Sequence, residues 1–191
     1  EFFTFKNSMD IPLNGYMIKP NNFDPNKKYP VFMTQYSGPG SQSVMNRWQM
    51  TWEEALVQEG YIVVCVDGRG TGYRGADFRK CTYGNLGYCE VEDQLSFARH
   101  LASQSFIDAK RIGIYGWSYG GFMALGCALK GDGLFKMAIA VAPVTSWRYY
   151  DSIYTEIYNG LPQDNPSGYD DNSPINFADR LSLNTRLLII H

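Results

Sequence analysis

Three observations predict a doubly wound α/β architecture with a mostly parallel sheet. Short apolar runs recur at 31–36, 61–66, 112–116, 137–141 and 187–190. Segments with helical spacing of apolar residues separate the first four of them, and a longer excursion precedes the last. Glycine- and proline-rich stretches punctuate the boundaries. Strands that alternate with helices in this way pack as a parallel sheet with right-handed crossovers. With 191 residues the chain is long enough for one substantial core.

In chain order, Phe2 to Phe5 and Leu13 to Lys19 read as strands about a polar turn at Asn7-Ser8-Met9-Asp10. Pro20 to Lys28 is a loop rich in Pro, Asn and Asp. Tyr29 to Tyr36 is the next strand, closed by Ser37-Gly38-Pro39-Gly40. Trp48 to Glu59 has helical periodicity, with Trp48, Trp52, Ala55 and Leu56 on one face and Gly60 as the stop. Tyr61 to Val66 is a continuous apolar run, suited to a strand buried on both faces.

The loop that follows carries Gly-x-Gly-x-x-Gly at Gly70, Gly72 and Gly75. A dinucleotide cradle needs that pattern to open straight into a helix. Gly84 and Gly87 interrupt the residues that follow, so no cofactor is expected there. Glu90 to Ser103 is an amphipathic helix, with Val91, Leu95, Ala98, Leu101 and Ala102 inward. Glu90, Glu92 and Asp93 fall in its first turn and read as residues that favour the helix dipole. His100 reads as a surface or core side chain rather than a catalytic one.

Arg111 to Leu129 carries the chemistry. A short apolar strand at 112–115 leads into Gly116-Trp117-Ser118-Tyr119-Gly120-Gly121, and an apolar helix follows from Phe122. This is the Gly-x-Ser-x-Gly nucleophile elbow in its strand-then-helix setting, the mark of an α/β-hydrolase fold. A serine hydroxyl is a weak nucleophile and must project to where a base can reach it. The glycines let neighbouring backbone approach without a Cβ clash. The next helix aims its N-terminal N–H groups at the site where negative charge develops.

Met137 to Val141 is another buried strand, ended by Ala142-Pro143. The excursion from Thr145 to Arg186 is aromatic, and Tyr150, Tyr154 and Tyr158 fall four apart, as on one helix face. Such a stripe packs on the sheet or walls a flat apolar pocket beside Ser118.

The totals exclude several classes. Net charge is −2, which gives no electrostatic footprint for nucleic acid. No apolar run reaches membrane-spanning length. The four cysteines show no metal-ligand spacing, and no metal site is expected. Cys65 and Cys127 read as small core residues. Cys81 and Cys89 flank a glycine-containing loop, as a disulfide in an oxidising compartment or as two free thiols. Glu1 opens directly into Phe2-Phe3, and the last strand stops at His191 without a turn; the expectation is a piece of a longer protein.

The elbow, Asp67-Gly68-Arg69-Gly70, Glu90-Val91-Glu92-Asp93-Gln94, Ala140-Val141-Ala142-Pro143-Val144 and Trp147 to Glu156 together resemble the prolyl oligopeptidase family of serine peptidases, in its dipeptidyl peptidase branch. The resemblance runs from about Tyr29 to His191. It implies Ser118 as the acylating nucleophile. It implies the backbone N–H of Tyr119 and the hydroxyl of Tyr36 as the oxyanion hole. It further implies Tyr119, Val144, Trp147, Tyr150 and Tyr154 as walls of a proline pocket.

By the same resemblance, residues 1–191 are a partial α/β-hydrolase catalytic domain. The N-terminal propeller, the C-terminal end of the domain, and the triad acid and base lie outside the chain. His191 matches a histidine at a strand end ahead of the acid, and the 191 residues alone are expected to be inactive. The implied activity is release of N-terminal dipeptides with Pro or Ala second, from peptide substrates with proline near the N-terminus. The alternatives are a prolyl tripeptidyl or acylaminoacyl peptidase, or a catalytically silent binding homologue. A homodimer of the full-length protein is expected, in the periplasm or outside the cell, with membrane anchoring left open.

Overall fold

The computed structural model describes residues 1–191. Seven strands form one sheet: β1 (Phe2–Lys6), β2 (Pro12–Ile18), β3 (Tyr29–Thr34), β4 (Ile62–Asp67), β5 (Ile107–Trp117), β6 (Met137–Val141) and β7 (Arg186–Ile190). Their spatial order is β1-β2-β4-β3-β5-β6-β7. β1 and β2 are an antiparallel hairpin, and β2 runs antiparallel to β4. From β4 to β7 every pairing is parallel. The sequence expectation of a mostly parallel, doubly wound sheet therefore holds.

Six α-helices connect the strands: α1 (Glu53–Gln58), α2 (Ala76–Lys80), α3 (Tyr88–Ala102), α4 (Tyr119–Lys130), α5 (Ser152–Asn159) and α6 (Pro166–Asp170). The chain leaves β3 through α1 to β4 on one side, then returns through α3 past β3 to β5 on the other. Right-handed crossovers in opposite directions put their helices on opposite faces. The packing agrees. Val31, Met33, Val64, Ile112 and Ile114 share a core with Val91, Leu95, Phe122 and Met123 of α3 and α4. Phe32 and Val63 turn the other way, to Val57 and Leu56 of α1. All six residues of β4 are buried, as its unbroken apolar run predicts.

Two expectations need correction. The helix anticipated over 48–59 begins at Glu53, and Trp48 is 92 % exposed. Thr51 sets the start. Its backbone N–H donates to Glu54 Oε2 at 2.6 Å, and its hydroxyl oxygen accepts the Glu53 N–H at 3.2 Å. Glu54 thus reaches back over the first turn to the Thr51 N–H, while Trp52, at the cap position, makes no side-chain cap bond. Val57, not Ala55, is the buried residue of α1.

The second correction concerns the loop at Gly70, Gly72 and Gly75, where a helix does open directly, at Ala76. It is only five residues long and none of them is buried. The loop amides are already spent: Gly70 N–H on the Phe78 carbonyl at 2.9 Å, Thr71 N–H on Gly68 at 3.3 Å, and Gly72 N–H on Ser41 at 2.8 Å. A phosphate would have to displace all three, so the loop is a structural turn.

At the start of α4, Gly121 is pressed on the end of β6. A Cβ there would lie 2.8 Å from the Val141 carbonyl oxygen and 3.0 Å from Pro143 Cα. Both neighbours are backbone and neither can swing aside. Gly121→Ala is expected to destabilise the domain by about 1–3 kcal/mol through overpacking. Chemical denaturation of the two proteins side by side measures it.

Candidate active site

β3 and β5 are neighbours whose onward connections leave for opposite faces. A crevice opens at such a switch point, at the carboxyl ends of the strands. Ser118 follows β5 and Tyr36 lies two residues past the end of β3. The strand expected to run to Tyr36 stops at Thr34, because the chain turns into the loop that carries Ser37 at φ 63°.

Ser118 has φ 58° and ψ −114°, a conformation that costs a non-glycine residue about 1–3 kcal/mol. The surroundings hold it there. Its N–H donates to the Val141 carbonyl at 2.9 Å, and its own carbonyl accepts the Phe122 N–H at 3.0 Å. Gly116 faces the Gly120 carbonyl so closely that no Cβ fits. Tyr119 is the first residue of α4, so its N–H has no carbonyl one turn back to bond.

The segment Gln35-Tyr36-Ser37 is tied to the elbow by a buried polar chain. Gln35 Nε2 donates to the Gly120 carbonyl at 2.9 Å and to the Tyr115 carbonyl at 3.3 Å. Ser37 Oγ donates to Gln35 Oε1 at 3.0 Å. Gln94 Nε2 on α3 donates to Ser37 Oγ at 3.3 Å and to the Val66 carbonyl at 2.9 Å. Tyr36 sits between two anchored residues, 39 % exposed, with its ring 6.1 Å from that of Tyr119. Burial raises the Tyr36 phenol above its ordinary range, and the neighbouring Tyr150 adds to this. The Ser118 side chain stands near the phenol and opposes the shift. At neutral pH it remains an O–H donor beside the serine.

The aromatic residues gather on the other side. Tyr119 packs on Trp147 at 5.5 Å between ring centroids and on Phe122 at 5.3 Å. Trp147 stacks on Tyr154 at 6.1 Å and meets Tyr150 edge-on at 6.0 Å. Tyr150 and Tyr154 are 5.4 Å apart, and their planes are nearly perpendicular. Trp147 is 1 % exposed and backs this cluster, while Tyr150, 42 % exposed, forms its open edge. Val144 is half-buried against the same core. Tyr150 is not on the helix with Tyr154 and Tyr158. Asp151 caps α5, its carboxylate accepting the Tyr154 N–H at 2.7 Å, and leaves Tyr150 extended ahead of it.

Two acids read from sequence as dipole caps have further roles. Glu90 is fully buried and accepts the Tyr119 O–H at 2.6 Å, and both its oxygens accept the Gly87 N–H at 3.1 Å. Burial pushes its carboxyl above the usual carboxylate range, against the pull of those hydrogen bonds. Asp93, also buried, clasps Arg69 with contacts of 2.8–3.1 Å and accepts from Asn7 Nδ2 at 2.7 Å. Only Glu92 faces solvent. Sequence reasoning missed Gln35, Ser37, Gln94 and Glu90 as parts of the site, and a buried polar residue carries no periodic signal. No cluster of three or more His, Cys, Asp or Glu side chains forms a metal-binding group. His100 packs on Phe5 and Phe97, 4.9 and 6.4 Å between ring centroids.

A strained serine between strand and helix, a phenol from the loop after the neighbouring strand and a free helical N–H can receive an acyl group and stabilise its oxyanion. The Prolyl oligopeptidase family matches residues 48–191. The chain belongs to the prolyl oligopeptidase family. It is 48 % identical to a protein of Pyrenophora teres f. teres named "Probable dipeptidyl-aminopeptidase B", over 97 % of this chain and 21 % of that protein. A Paracoccidioides lutzii protein of the same name is 50 % identical over 95 % of the chain and 20 % of its own length. The crystal structure of Porphyromonas gingivalis dipeptidyl peptidase 4 superposes with a TM-score of 0.96 at 49 % identity, covering 99 % of this chain and 27 % of that one. The chain thus spans about a fifth of the length of the curated relatives it matches.

The pH response of Glu90 is a direct check on this geometry. Its folded pKa lies above the unfolded one, so its contribution to stability is full below the unfolded pKa and is lost as pH rises through the folded value. The stability advantage of the wild type over Glu90→Gln is therefore expected to shrink from acidic toward neutral pH. Paired thermal melts across that range measure it.

Proposed function

We propose that the full-length protein is a serine exopeptidase that releases N-terminal dipeptides with Pro or Ala in second position. The reaction would run through an acyl-enzyme on Ser118. One observation carries the reading: Ser118 is held at φ 58° with the Tyr36 phenol near it and the first N–H of α4 beside it.

In this scheme Ser118 Oγ attacks the carbonyl carbon of the second residue. The oxyanion that forms accepts from the Tyr119 N–H and the Tyr36 O–H. Both donors are in place before the reaction, so they strengthen as charge develops and need no reorganisation. The pyrrolidine of a proline would lie against Tyr150, Tyr154 and Val144, with Tyr119 and Trp147 behind. Flat rings suit a flat saturated ring, and the one buried carboxyl against them, Glu90, is taken up by the Tyr119 hydroxyl and the Gly87 N–H. The hydrolase order is nucleophile, then acid, then base, which argues for an acid and a base C-terminal to β7.

The relatives' names support the dipeptide step, and the aromatic cluster supports proline. Two variants of the full-length protein test the reading on glycyl-prolyl-p-nitroanilide. Wild-type turnover is expected to vanish in Ser118→Ala. It is expected to fall about 10²–10³-fold in kcat with little change in KM in Tyr36→Phe, which removes one oxyanion donor. No turnover by the wild type, or turnover that survives Ser118→Ala, overturns the proposal. Faster release of a tripeptide than of a dipeptide from a length series overturns its exopeptidase register.

A further inference from the structure

Behind the site, the segment from the end of α2 to the start of α3 forms a tight loop with a cysteine at each end. Cys81 is the residue after α2 and is exposed. Cys89 lies in the first turn of α3 and is buried. Their sulfurs are 3.3 Å apart, close enough for one thiol to donate to the other. Gly84 at φ 80° and Gly87 at φ 88° let the chain double back over so short a span. The other two cysteines differ: Cys65 and Cys127 are each buried, in β4 and in α4.

We propose that Cys81 and Cys89 are a dithiol pair that a small disulfide of the glutathione class oxidises reversibly to an intramolecular disulfide. The exposures set the order of events. Cys81 is the sulfur that solvent reaches, and Cys89 is the resolving sulfur behind it. As a thiolate, Cys81 attacks one sulfur of glutathione disulfide. The S–S bond of the reagent breaks, one glutathione thiolate leaves, and Cys81 holds the other as a mixed disulfide. Cys89 then gives up its proton and attacks the Cys81 sulfur, expelling the second glutathione thiolate. Two protein thiols lose two electrons, one external disulfide gains them, and two protons end on the two glutathione thiols.

The surroundings favour the first step, and the hydrogen bond to Cys81, burial and the Glu90 carboxylate hold Cys89 as the protonated partner until the mixed disulfide has formed. The thiolate of Cys81 is stabilised chiefly by the hydrogen bond from Cys89, which lowers the Cys81 pKa, and the Arg69 guanidinium works in the same direction. Cys89 Sγ is also within 3.4 Å of Glu90 Oε2, a nearby acceptor for its proton.

The bridge would close a loop on which the aromatic insertion is seated. Gly84 N–H donates to the Tyr158 carbonyl at 2.7 Å, and the Gly84 carbonyl accepts from Asn165 Nδ2 at 2.9 Å. Tyr83 meets Tyr158 edge-on at 5.5 Å. The oxidised pair would therefore fasten the support of α5 and of Glu90, which holds the Tyr119 hydroxyl.

The inference is independent of the peptidase reading, and its test needs no activity. The full-length protein is equilibrated over a series of glutathione redox buffers, quenched with an alkylating reagent, digested and mapped by mass spectrometry. The expected product is a peptide pair joined through Cys81 and Cys89, lighter by two hydrogens and restored by dithiothreitol, with Cys65 and Cys127 alkylated only after unfolding. In Cys89→Ser, Cys81 is expected to stop at the mixed disulfide with glutathione. In Cys81→Ser, Cys89 is expected to remain a thiol at every ratio. Wild-type protein in which both thiols stay free across the series overturns the proposal. So does wild-type Cys81 that accumulates as the mixed disulfide without resolving.

Discussion

The approach of the Gln35-Tyr36-Ser37 segment to the elbow is the contact on which the rest of the site depends. There is no room for a side chain between them: a Cβ on Gly120 would sit 2.6 Å from the Gln35 carbonyl oxygen. That closeness lets the Gln35 amide bond the Gly120 carbonyl, and it brings the Tyr36 phenol to Ser118. The chain of bonds from Gln94 through Ser37 to Gln35 is buried, so each link carries more than its modest net strength. Removing one partner leaves the other desolvated and unsatisfied, at a cost of about 1–3 kcal/mol. The fold makes this contact available because β3 and β5 lie side by side and hand their chains to opposite faces. The strain at Ser118 is sustained by the same packing, in the manner expected where a rigid frame over-determines one residue.

A second frame sits behind the first and works on Tyr119. Glu90 fixes its hydroxyl, and Trp147 and Phe122 fix its ring. Its backbone N–H is thereby held at the mouth of α4 while its ring closes the base of the aromatic cluster. One residue thus couples the place where charge would develop to the place where a side chain would bind. Burial keeps the phenols of Tyr36, Tyr119 and Tyr154 above their ordinary pKa, so each remains protonated near neutral pH. Buried phenols add apolar surface and a donor without adding charge, which suits a pocket for an uncharged ring.

Much of this was legible in the residue order, and the failures have physical causes. The strands 62–67 and 137–141 follow from continuous apolar runs, and the elbow follows from glycine spacing between such a run and an apolar helix. The spacing over 48–59 overstates the helix because two tryptophans four apart imitate a buried stripe. Trp52 instead packs edge-on to Tyr115 and Phe32 from just outside the helix. The hydrogen bonds of Thr51 with Glu53 and Glu54 mark the true start and outweigh that spacing. Spacing alone puts Tyr150 on a helix, and the Asp151 cap overrides the spacing there. Sequence position alone reads Glu90 and Asp93 as dipole caps. Their partners Tyr119, Arg69 and Asn7 lie 29, 24 and 86 residues away in sequence, and no local pattern announces such a pairing.

The central claim is that this frame makes one serine nucleophilic among the others on the chain. The direct measurement is covalent capture. The full-length protein is incubated with a fluorophosphonate, digested, and the modified residue read by tandem mass spectrometry. The account predicts a single adduct on Ser118, abolished when the protein is unfolded before labelling. An adduct on another serine, or none on Ser118 in the folded protein, would contradict it.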